Sequence, residues 1–319
     1  MNHNLMFAIS ELLRDEKDAD IERAAENISL RYRSNTGNNK NLILHESEAL
    51  AYAAARMPAT YGAVGSSLRH TLEAFCRTPK TLLDAGAGTG SAMWASDSLL
   101  DLRQITCIER EELMIKTGKK IGKYGSDTIQ NANWIKENLV NCENLPTSDL
   151  VISSYMLNEM TWENVQKLIW KLSSAAMELL LIVEPGTTAG FKLIRKIREE
   201  FIKSGSNIIA PCTHCNECVL PPEDWCHFTN RIARSKLHKK LKNGEAPYED
   251  EKFSYLAVSK FPALQHNHGR ILRHPQIQKG LITMDICSEK GYSNITIRKK
   301  EQEKFRQARK ASAGDTISF

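Results

Sequence analysis

Residues 81–90 read Thr-Leu-Leu-Asp-Ala-Gly-Ala-Gly-Thr-Gly, an apolar run that ends in Asp84 and opens into three glycines. Glycines at this spacing permit a tight turn and let a ligand approach the backbone closely. A helix that follows such a turn offers unpaired N–H groups and a favourable dipole to the ligand. Ligands bind at the carboxyl ends of strands in open parallel sheets, which is where Asp84 falls. The segment therefore predicts a strand, a ligand-binding loop and a helix that begins near Ser91.

The rest of the chain alternates short apolar runs with helical patterns, which is typical of a parallel α/β sheet. This order stops at residue 211, and strand-like runs resume only at residue 253. We therefore expect a Rossmann-like α/β sheet with an N-terminal helical region and a cysteine-rich insertion. The predicted regions are 1–77 (helical), 78–210 (ligand-binding core, resuming at about 251–262), 211–250 (cysteine-rich, metal-binding and basic insertion) and 263–319 (C-terminal β and basic extension).

The loop favours S-adenosylmethionine over a dinucleotide. Its pattern is D-x-G-x-G-x-G with the acid first, and Glu109 ends the next predicted strand about twenty residues on, where a carboxylate accepts hydrogen bonds from ribose hydroxyls. No second mononucleotide-binding half follows. The run Leu-Asp-Ala-Gly-Ala-Gly-Thr-Gly resembles the first motif of class I methyltransferases, and Ile108-Glu109 resembles their second. The predicted cofactor-binding residues in this part are Asp84, Gly86, Gly88, Gly90 and Glu109.

Residues 153–159, which follow the predicted fourth strand, read Ser-Ser-Tyr-Met-Leu-Asn-Glu. They contain neither the Asn-Pro-Pro-Tyr type of motif for base amines nor a Pro-Cys nucleophile. We expect Ser154, Tyr155 and Asn158 to line the methyl pocket together with Glu159, while a packed helix start is the alternative. No catalytic residue is assigned, because methyl transfer from a sulfonium needs little beyond alignment with a nucleophile.

Four cysteines fall within fifteen residues: Cys212, Cys215, Cys218 and Cys226. In a reducing compartment such close thiols indicate a metal site more than disulfides. The spacing leaves the metal open. His214 and His227 lie nearby and keep zinc possible, whereas all-thiolate ligation suits a [4Fe–4S] cluster equally well.

The net charge of +5 is modest, but its distribution is uneven. Residues 231–242 hold six Lys or Arg and no acid, which predicts a basic helix beside the last local cysteine. Such a helix fits a phosphate-rich partner, and a solvated helix face is the alternative. The predicted RNA-binding residues are Arg231, Arg234, Lys236, Lys239, Lys240, Arg270 and Arg273.

Several further runs carry a resemblance to one family. They are Cys-Thr-His through Cys218, Asp-Trp-Cys-His-Phe at 224–228, the stretch 244–255, Arg-Gln-Ala-Arg-Lys at 306–310, Arg-Met-Pro-Ala-Thr-Tyr at 56–61, and Glu-Pro-Gly-Thr at 184–187. Together they resemble the methyltransferase-like proteins that assist assembly of the mitochondrial ribosomal small subunit, and their bacterial homologues. The resemblance covers nearly the whole chain.

The resemblance implies a class I fold that binds S-adenosylmethionine, a [4Fe–4S] cluster and a role on small-subunit ribosomal RNA. The first three cluster ligands of the family fall on Cys212, Cys218 and Cys226, and the fourth falls on Cys287, with Cys215 as the alternative. Two functions then remain open: an RNA methyltransferase, or a non-catalytic assembly factor on a methyltransferase scaffold. A small-molecule methyltransferase with a structural zinc site is another interpretation, and it leaves the basic character of the C-terminal region unexplained.

The sequence has no apolar run near the roughly 20 residues that a membrane-spanning helix needs, so we expect no membrane contact. The Met1 end shows no basic-then-apolar signal segment. We therefore expect a monomer in the cytoplasm, or in the mitochondrial matrix if the source is eukaryotic.

Overall fold

The computed structural model describes residues 3–34, 42–221, 223–234, 236–241, 244–264 and 268–318, without the side chains of 32–34, 236 and 237. The chain forms two compact units. Unit 1 comprises Met1–Ser66, Pro79–Leu180 and Asn230–Glu251, and unit 2 comprises Ser67–Thr78, Leu181–Thr229 and Lys252–Phe319. The predicted insertion 211–250 is therefore divided, since its cysteines fall in unit 2 and its basic residues in unit 1.

The helices of the described residues follow one another along the chain, with two short 3₁₀ turns at Leu157–Glu159 and Lys299–Glu301. They are α1 (His3–Leu12), α2 (Asp18–Ser34), α3 (Glu46–Ala55), α4 (Met57–Ala74), α5 (Ser91–Asp97), α6 (Glu112–Gly122), α7 (Asp127–Gln130), α8 (Trp162–Ala175), α9 (Thr188–Lys203), α10 (Lys236–Leu241) and α11 (Gln302–Lys310).

The first sheet has eight strands in the order β3-β2-β1-β4-β5-β8-β6, and β7 pairs with β8. The pairings β1–β2, β1–β4 and β2–β3 are parallel, whereas β6 runs antiparallel to β8. This order confirms the expected Rossmann-like α/β fold. The strands are β1 (Thr81–Ala85), β2 (Gln104–Glu109), β3 (Asn133–Lys136), β4 (Ser148–Ser154), β5 (Ala176–Pro185), β6 (Asn207–Ala210), β7 (Phe228–Ala233) and β8 (Tyr248–Ser259).

Burial explains the central strands of this sheet. Residues 179–183 of β5 read Leu-Leu-Leu-Ile-Val, and every one is buried. A continuous apolar run of this kind is what a strand covered on both faces requires. β1 and β4 are buried in the same way, so the carboxyl ends of β1, β2 and β4 form a rigid edge.

The second sheet has five strands in the order β10-β11-β9-β13, with β12 paired to β11. Its strands are β9 (His268–Ile271), β10 (Gln276–Gln278), β11 (Leu281–Ser288), β12 (Gly291–Arg298) and β13 (Thr316–Ser318). Ile282, Met284 and Ile286 alternate along β11 toward a core that also contains Ala308 of α11. Helix α11 therefore packs its apolar side on this sheet.

The prediction of a basic helix over residues 231–242 is wrong for the first part of this segment. Arg231 and Ala233 belong to strand β7, and only Lys236–Leu241 is helical. Ile232 is completely buried, so strand pairing with β8 outweighs the charge pattern of the segment. Lys242 lies outside the described residues.

Among the described residues, no helix is both long and apolar enough to cross a membrane.

Candidate functional site

The glycine loop after β1 has the backbone that its sequence predicts. Gly86, Gly88 and Gly90 have φ angles of 76°, 55° and 90°, in the left-handed region that glycine tolerates best. The N–H groups of Gly86 and Ala87 donate to the carbonyl of Ile108 at 2.9 and 3.0 Å. These bonds fasten the loop to the end of β2 and bring Glu109 beside it.

A cavity of about 320 Å³ opens at this edge, within unit 1. That volume lies at the small end of the range for small-molecule sites, roughly 300–1,000 Å³. Six of the eight predicted cofactor-binding residues line it: Gly86, Gly88, Glu109, Ser154, Tyr155 and Asn158. The structure therefore brings together the ends of β1, β2 and β4 around one space.

The other two, Asp84 and Gly90, do not line the cavity. Asp84 is fully buried, and its Oδ2 accepts a 3.1 Å hydrogen bond from the N–H of Met93. Its Oδ1 has no partner among the described residues, and burial raises the pKa of this carboxyl to about 7. Asp84 thus supports the first turn of α5, while Gly90 forms the left-handed N-cap of that helix.

Glu109 is held in place by three backbone donors. The N–H groups of Gly88, Arg110 and Glu111 donate to its carboxylate at 2.8, 2.8 and 2.9 Å. Burial raises the pKa of Glu109, whereas these hydrogen bonds act in the opposite direction. A carboxylate has about four acceptor positions, so one position remains for a ligand hydroxyl.

Sequence reasoning missed several residues of the cavity wall, above all Glu111. This side chain is 8% exposed and accepts from the N–H groups of Leu42 and Ile43 at 2.7 and 3.2 Å. It fastens the segment before α3 to the wall that Glu109 also forms. Tyr52 completes this side, and burial raises its pKa to about 12, so its hydroxyl stays protonated. The only signal in the sequence was a second acid two residues after Glu109.

The cavity is acidic. Among the described residues that line it, Glu109, Glu111, Glu137 and Glu159 face a single basic residue, Arg110. Burial, together with the nearby Glu109 and Glu111, raises the pKa of Glu159 to about 7 against the opposing effect of Arg110. An acidic wall favours a cationic ligand and disfavours a phosphate ester.

Tyr155 has a backbone conformation that residues other than glycine rarely adopt. Its φ is 55°, directly after β4, and its hydroxyl donates to Oε1 of Glu251 at 2.8 Å. The next residue, Met156, packs on the glycine loop so closely that a methyl group at Gly86 would lie 2.5 Å from Met156 Sδ. Backbone outliers of this kind concentrate at functional sites.

In unit 2 the structure gathers four cysteines: Cys212, Cys218, Cys226 and Cys287. Burial raises the pKa of Cys226 well above the usual thiol value, and the charges of Cys212, Cys287 and Cys218 raise it further. Cys287 is 8% exposed and packs with Leu220 and Leu272, and Cys218 and Cys226 pack against that group. Cys215 is exposed. Within the described ranges, no group of three or more His, Cys, Asp or Glu side chains could hold a metal ion.

Most of the predicted RNA-binding cations are paired with carboxylates. Arg231 makes two bonds of 2.7 and 2.8 Å to Asp250 and lies 4.0 Å from the centre of the Tyr248 ring. The other pairs are Arg234–Glu249 at 3.3 Å, Lys240–Asp18 at 2.6 Å and Arg273–Asp224 at 2.5 Å. Lys239 is half-buried, and the side chain of Lys236 lies outside the described part of the chain.

The RNA-contacting role predicted for Arg270 is wrong. This side chain is 2% exposed, so it cannot reach a phosphate backbone. Its Nε donates to the carbonyl of Pro211 at 2.8 Å and its Nη1 to that of Gly314 at 2.5 Å. The guanidinium therefore donates hydrogen bonds to buried backbone carbonyls of unit 2. The sequence alone does not indicate this role.

Comparison with known proteins identifies a family match, a human relative and a fission yeast relative. The family described as "Rsm22: Mitochondrial small ribosomal subunit Rsm22" matches residues 46–318. The human "Ribosome assembly protein METTL17, mitochondrial" is 26% identical over 89% of this chain and 66% of its own length. The fission yeast "Rsm22-cox11 tandem protein 2, mitochondrial" is 23% identical over 84% of this chain and 43% of its own length. The chain thus spans less than two thirds of the length of these relatives.

The strand order and glycine loop are those of a class I methyltransferase fold. Among solved structures, the chain is similar to the magnesium protoporphyrin IX methyltransferase of Synechocystis with bound S-adenosylmethionine. That likeness has a TM-score of 0.41 and 13% identity, and it covers 76% of this chain and 97% of the other.

Proposed function

The chain belongs to the Rsm22 family of mitochondrial small ribosomal subunit proteins, and from this membership we propose that it assists small-subunit assembly and binds S-adenosylmethionine in the cavity of unit 1. The observation that carries the cofactor proposal is the fixed Glu109 carboxylate beside Gly86 and Gly88 in an acidic cavity. In a eukaryotic cell we place the protein in the mitochondrial matrix, and we propose that it acts as a monomer.

The wall chemistry supports this cofactor over other nucleosides. The remaining acceptor position of Glu109 suits a ribose hydroxyl, and the two glycines let the ligand approach the backbone. The sulfonium and amino groups of the cofactor are cationic, which suits a wall with four glutamates and one arginine. A nucleotide phosphate would meet the same carboxylates unfavourably.

Calorimetry with S-adenosylmethionine and S-adenosylhomocysteine tests this part. We expect both to bind the wild type, and Glu109→Gln to weaken binding because an amide carries no charge and can accept fewer N–H bonds. Glu112→Gln is the matched control, because Glu112 is exposed, pairs with Lys136 and does not line the cavity. Equal affinities for wild type and Glu109→Gln would contradict the assignment of the site.

Methyl transfer to ribosomal RNA is a second candidate, favoured by the half-buried Glu159 in the same cavity. With a pKa of about 7, Glu159 is partly ionised at neutral pH and able to accept a proton. Transfer of label from S-adenosylmethionine to immature small subunits tests the activity. Label that disappears in Glu109→Gln supports an enzyme. Cofactor binding and subunit binding without label support a non-catalytic assembly factor.

We further propose that Cys212, Cys218, Cys226 and Cys287 hold a [4Fe–4S] cluster. The support is that Cys287 is buried, that the half-buried Cys218 and Cys226 pack against its group, and that Cys212 and Cys218 act electrostatically on Cys287, whereas Cys215 is exposed. Each thiolate of such a cluster binds a different iron atom, so its ligands need not converge on one point. Three ligands come from the loop after β6 and one from β11. The cluster would therefore join the loop to the second sheet of unit 2.

A further inference from the structure

A large positive charge that carboxylates of the same segment do not balance lies at residues 298–310, which we name the C-terminal cationic ridge. It consists of the end of β12, the following 3₁₀ turn and α11. The ridge contains seven cations and two carboxylates, Glu301 and Glu303. Its net charge of +5 equals that of the whole chain, so the remaining residues balance to zero. The cations are Arg298, Lys299, Lys300, Lys304, Arg306, Arg309 and Lys310.

The cations of the ridge are available to a partner. All seven are exposed, and within the described residues only Arg306 makes an ion pair, with Glu303 at 3.0 Å. In contrast, Arg231, Arg234 and Lys240 are each paired with a carboxylate. A paired cation must give up its carboxylate before it contacts phosphate, whereas an unpaired one releases only solution counterions.

The helix orientation keeps this charge on the outside. Ala308 is buried in the core of the second sheet, and Phe305 packs against the same core. Because residues three and four apart share a helix face, Arg306 and Lys310 lie together on a side that Phe305 and Ala308 do not occupy. A membrane-binding amphipathic helix would need its apolar side for lipid, and here that side is already used by the sheet.

We propose that the C-terminal cationic ridge is the main RNA-contacting surface of this protein, with exposed lysines and arginines on phosphate groups of ribosomal RNA. This inference rests on the proposed ribosomal function and replaces residues 231–242 as the principal contact. The ridge supplies affinity and orientation but no sequence reading, since phosphate contacts carry no base information.

The test compares two variants of equal charge by fluorescence anisotropy with labelled oligouridine over a range of salt concentrations. The ridge variant is Lys299→Gln, Lys300→Gln and Lys304→Gln. The control variant is Arg14→Gln, Arg231→Gln and Lys240→Gln, three exposed cations that each have a carboxylate partner. Each lost phosphate contact lowers the slope of log K against log salt by about 0.7 for single-stranded RNA.

We expect the ridge variant to lose about two units of slope, and to bind about 100-fold more weakly at about 0.1 M salt, because three contacts are removed. The control variant should lose less than half of that slope. A control variant that loses as much slope as the ridge variant, or more, overturns the proposal. So does a wild type that binds phosphatidylglycerol vesicles but not RNA.

Ultraviolet crosslinking of wild type to the same oligouridine gives a readout that needs no variant. Crosslinked peptides should map to residues 290–310, and crosslinks confined to residues 228–251 would overturn the proposal. Cofactor binding is measured on the same samples. If the wild type does not bind RNA, both the proposed ribosomal function and this inference are contradicted. If it binds RNA through another part of the chain, only this inference is contradicted.

Discussion

The hydroxyl of Tyr155 donates a 2.8 Å hydrogen bond to Oε1 of Glu251, and it joins the cavity wall to the first half of β8. Tyr155 needs such support because its φ of 55° lies in the left-handed region. That conformation costs roughly 1–2 kcal/mol for a residue with a Cβ. Glu251 is therefore a positioning residue for Tyr155, and under the proposed function it would act on the cofactor through that side chain.

The first prediction concerns this pair. Glu251→Ala should weaken S-adenosylhomocysteine binding about tenfold, since a hydrogen bond to a charged group contributes about 1.5–3 kcal/mol and part of it is recovered by water. Glu251→Gln keeps an acceptor and should bind nearly as wild type. Tyr155→Phe combined with Glu251→Ala should bind about as weakly as either single variant, because both remove one interaction. Fully additive losses in calorimetry would show that the two residues act separately.

The second prediction concerns Asp84 and pH. Burial raises its folded-state pKa to about 7, far above the unfolded value near 3.9, so the folded state binds the extra proton. Stability should therefore fall as pH rises from about 4 to 7, by up to roughly 4 kcal/mol, and level off above. Asp84→Asn removes this dependence. Urea unfolding at several pH values should show that the free energy of unfolding of the variant rises relative to that of the wild type between pH 4 and neutral pH. If the free energy of unfolding depended on pH in the same way for both proteins, the raised pKa of Asp84 would be contradicted.

The third prediction concerns the cluster ligands. After anaerobic reconstitution, Cys287→Ser should reduce bound iron and visible cluster absorption, while Cys215→Ser should leave both near the wild-type level. The reason is that Cys287 is buried and packs with the half-buried Cys218 and Cys226, whereas Cys215 is exposed. The opposite result would move the fourth ligand to Cys215. Stoichiometric zinc in place of iron in the purified wild type would contradict the cluster itself.

The fourth prediction concerns Arg270. Arg270→Gln should destabilise the protein by about 2–4 kcal/mol, because the buried carbonyls of Pro211 and Gly314 lose charged donors. Arg273→Gln is the control, since Arg273 is about one third exposed and its pair with Asp224 is partly solvated. Chemical denaturation measures both. If Arg270→Gln instead weakened RNA binding with unchanged stability, the internal role of Arg270 would be incorrect.

The sequence predicted the features that depend on local pattern and left out those that depend on burial. The glycine loop, Glu109 and the alternation of strands and helices follow from periodicity and spacing, whereas β3 (Asn133–Lys136) was not predicted. Charge alone could not distinguish Arg270, which is internal, from the exposed cations of the ridge. Nor could it show that Arg231 pairs with Asp250, because the two residues meet only once β7 is paired with β8. Cys287 entered through a family resemblance and not through its spacing.

The contact of Glu111 with the N–H groups of Leu42 and Ile43 has an evolutionary consequence. The family match begins at residue 46, so Leu42 and Ile43 lie before the matched residues, whereas Glu111 lies within them. If the proposed cofactor binds in this cavity, substitutions in the segment before residue 46 would change its affinity while the glycine loop stays intact. Loss of cofactor binding in one lineage and its retention in another would then leave no trace in the loop by which such proteins are recognised.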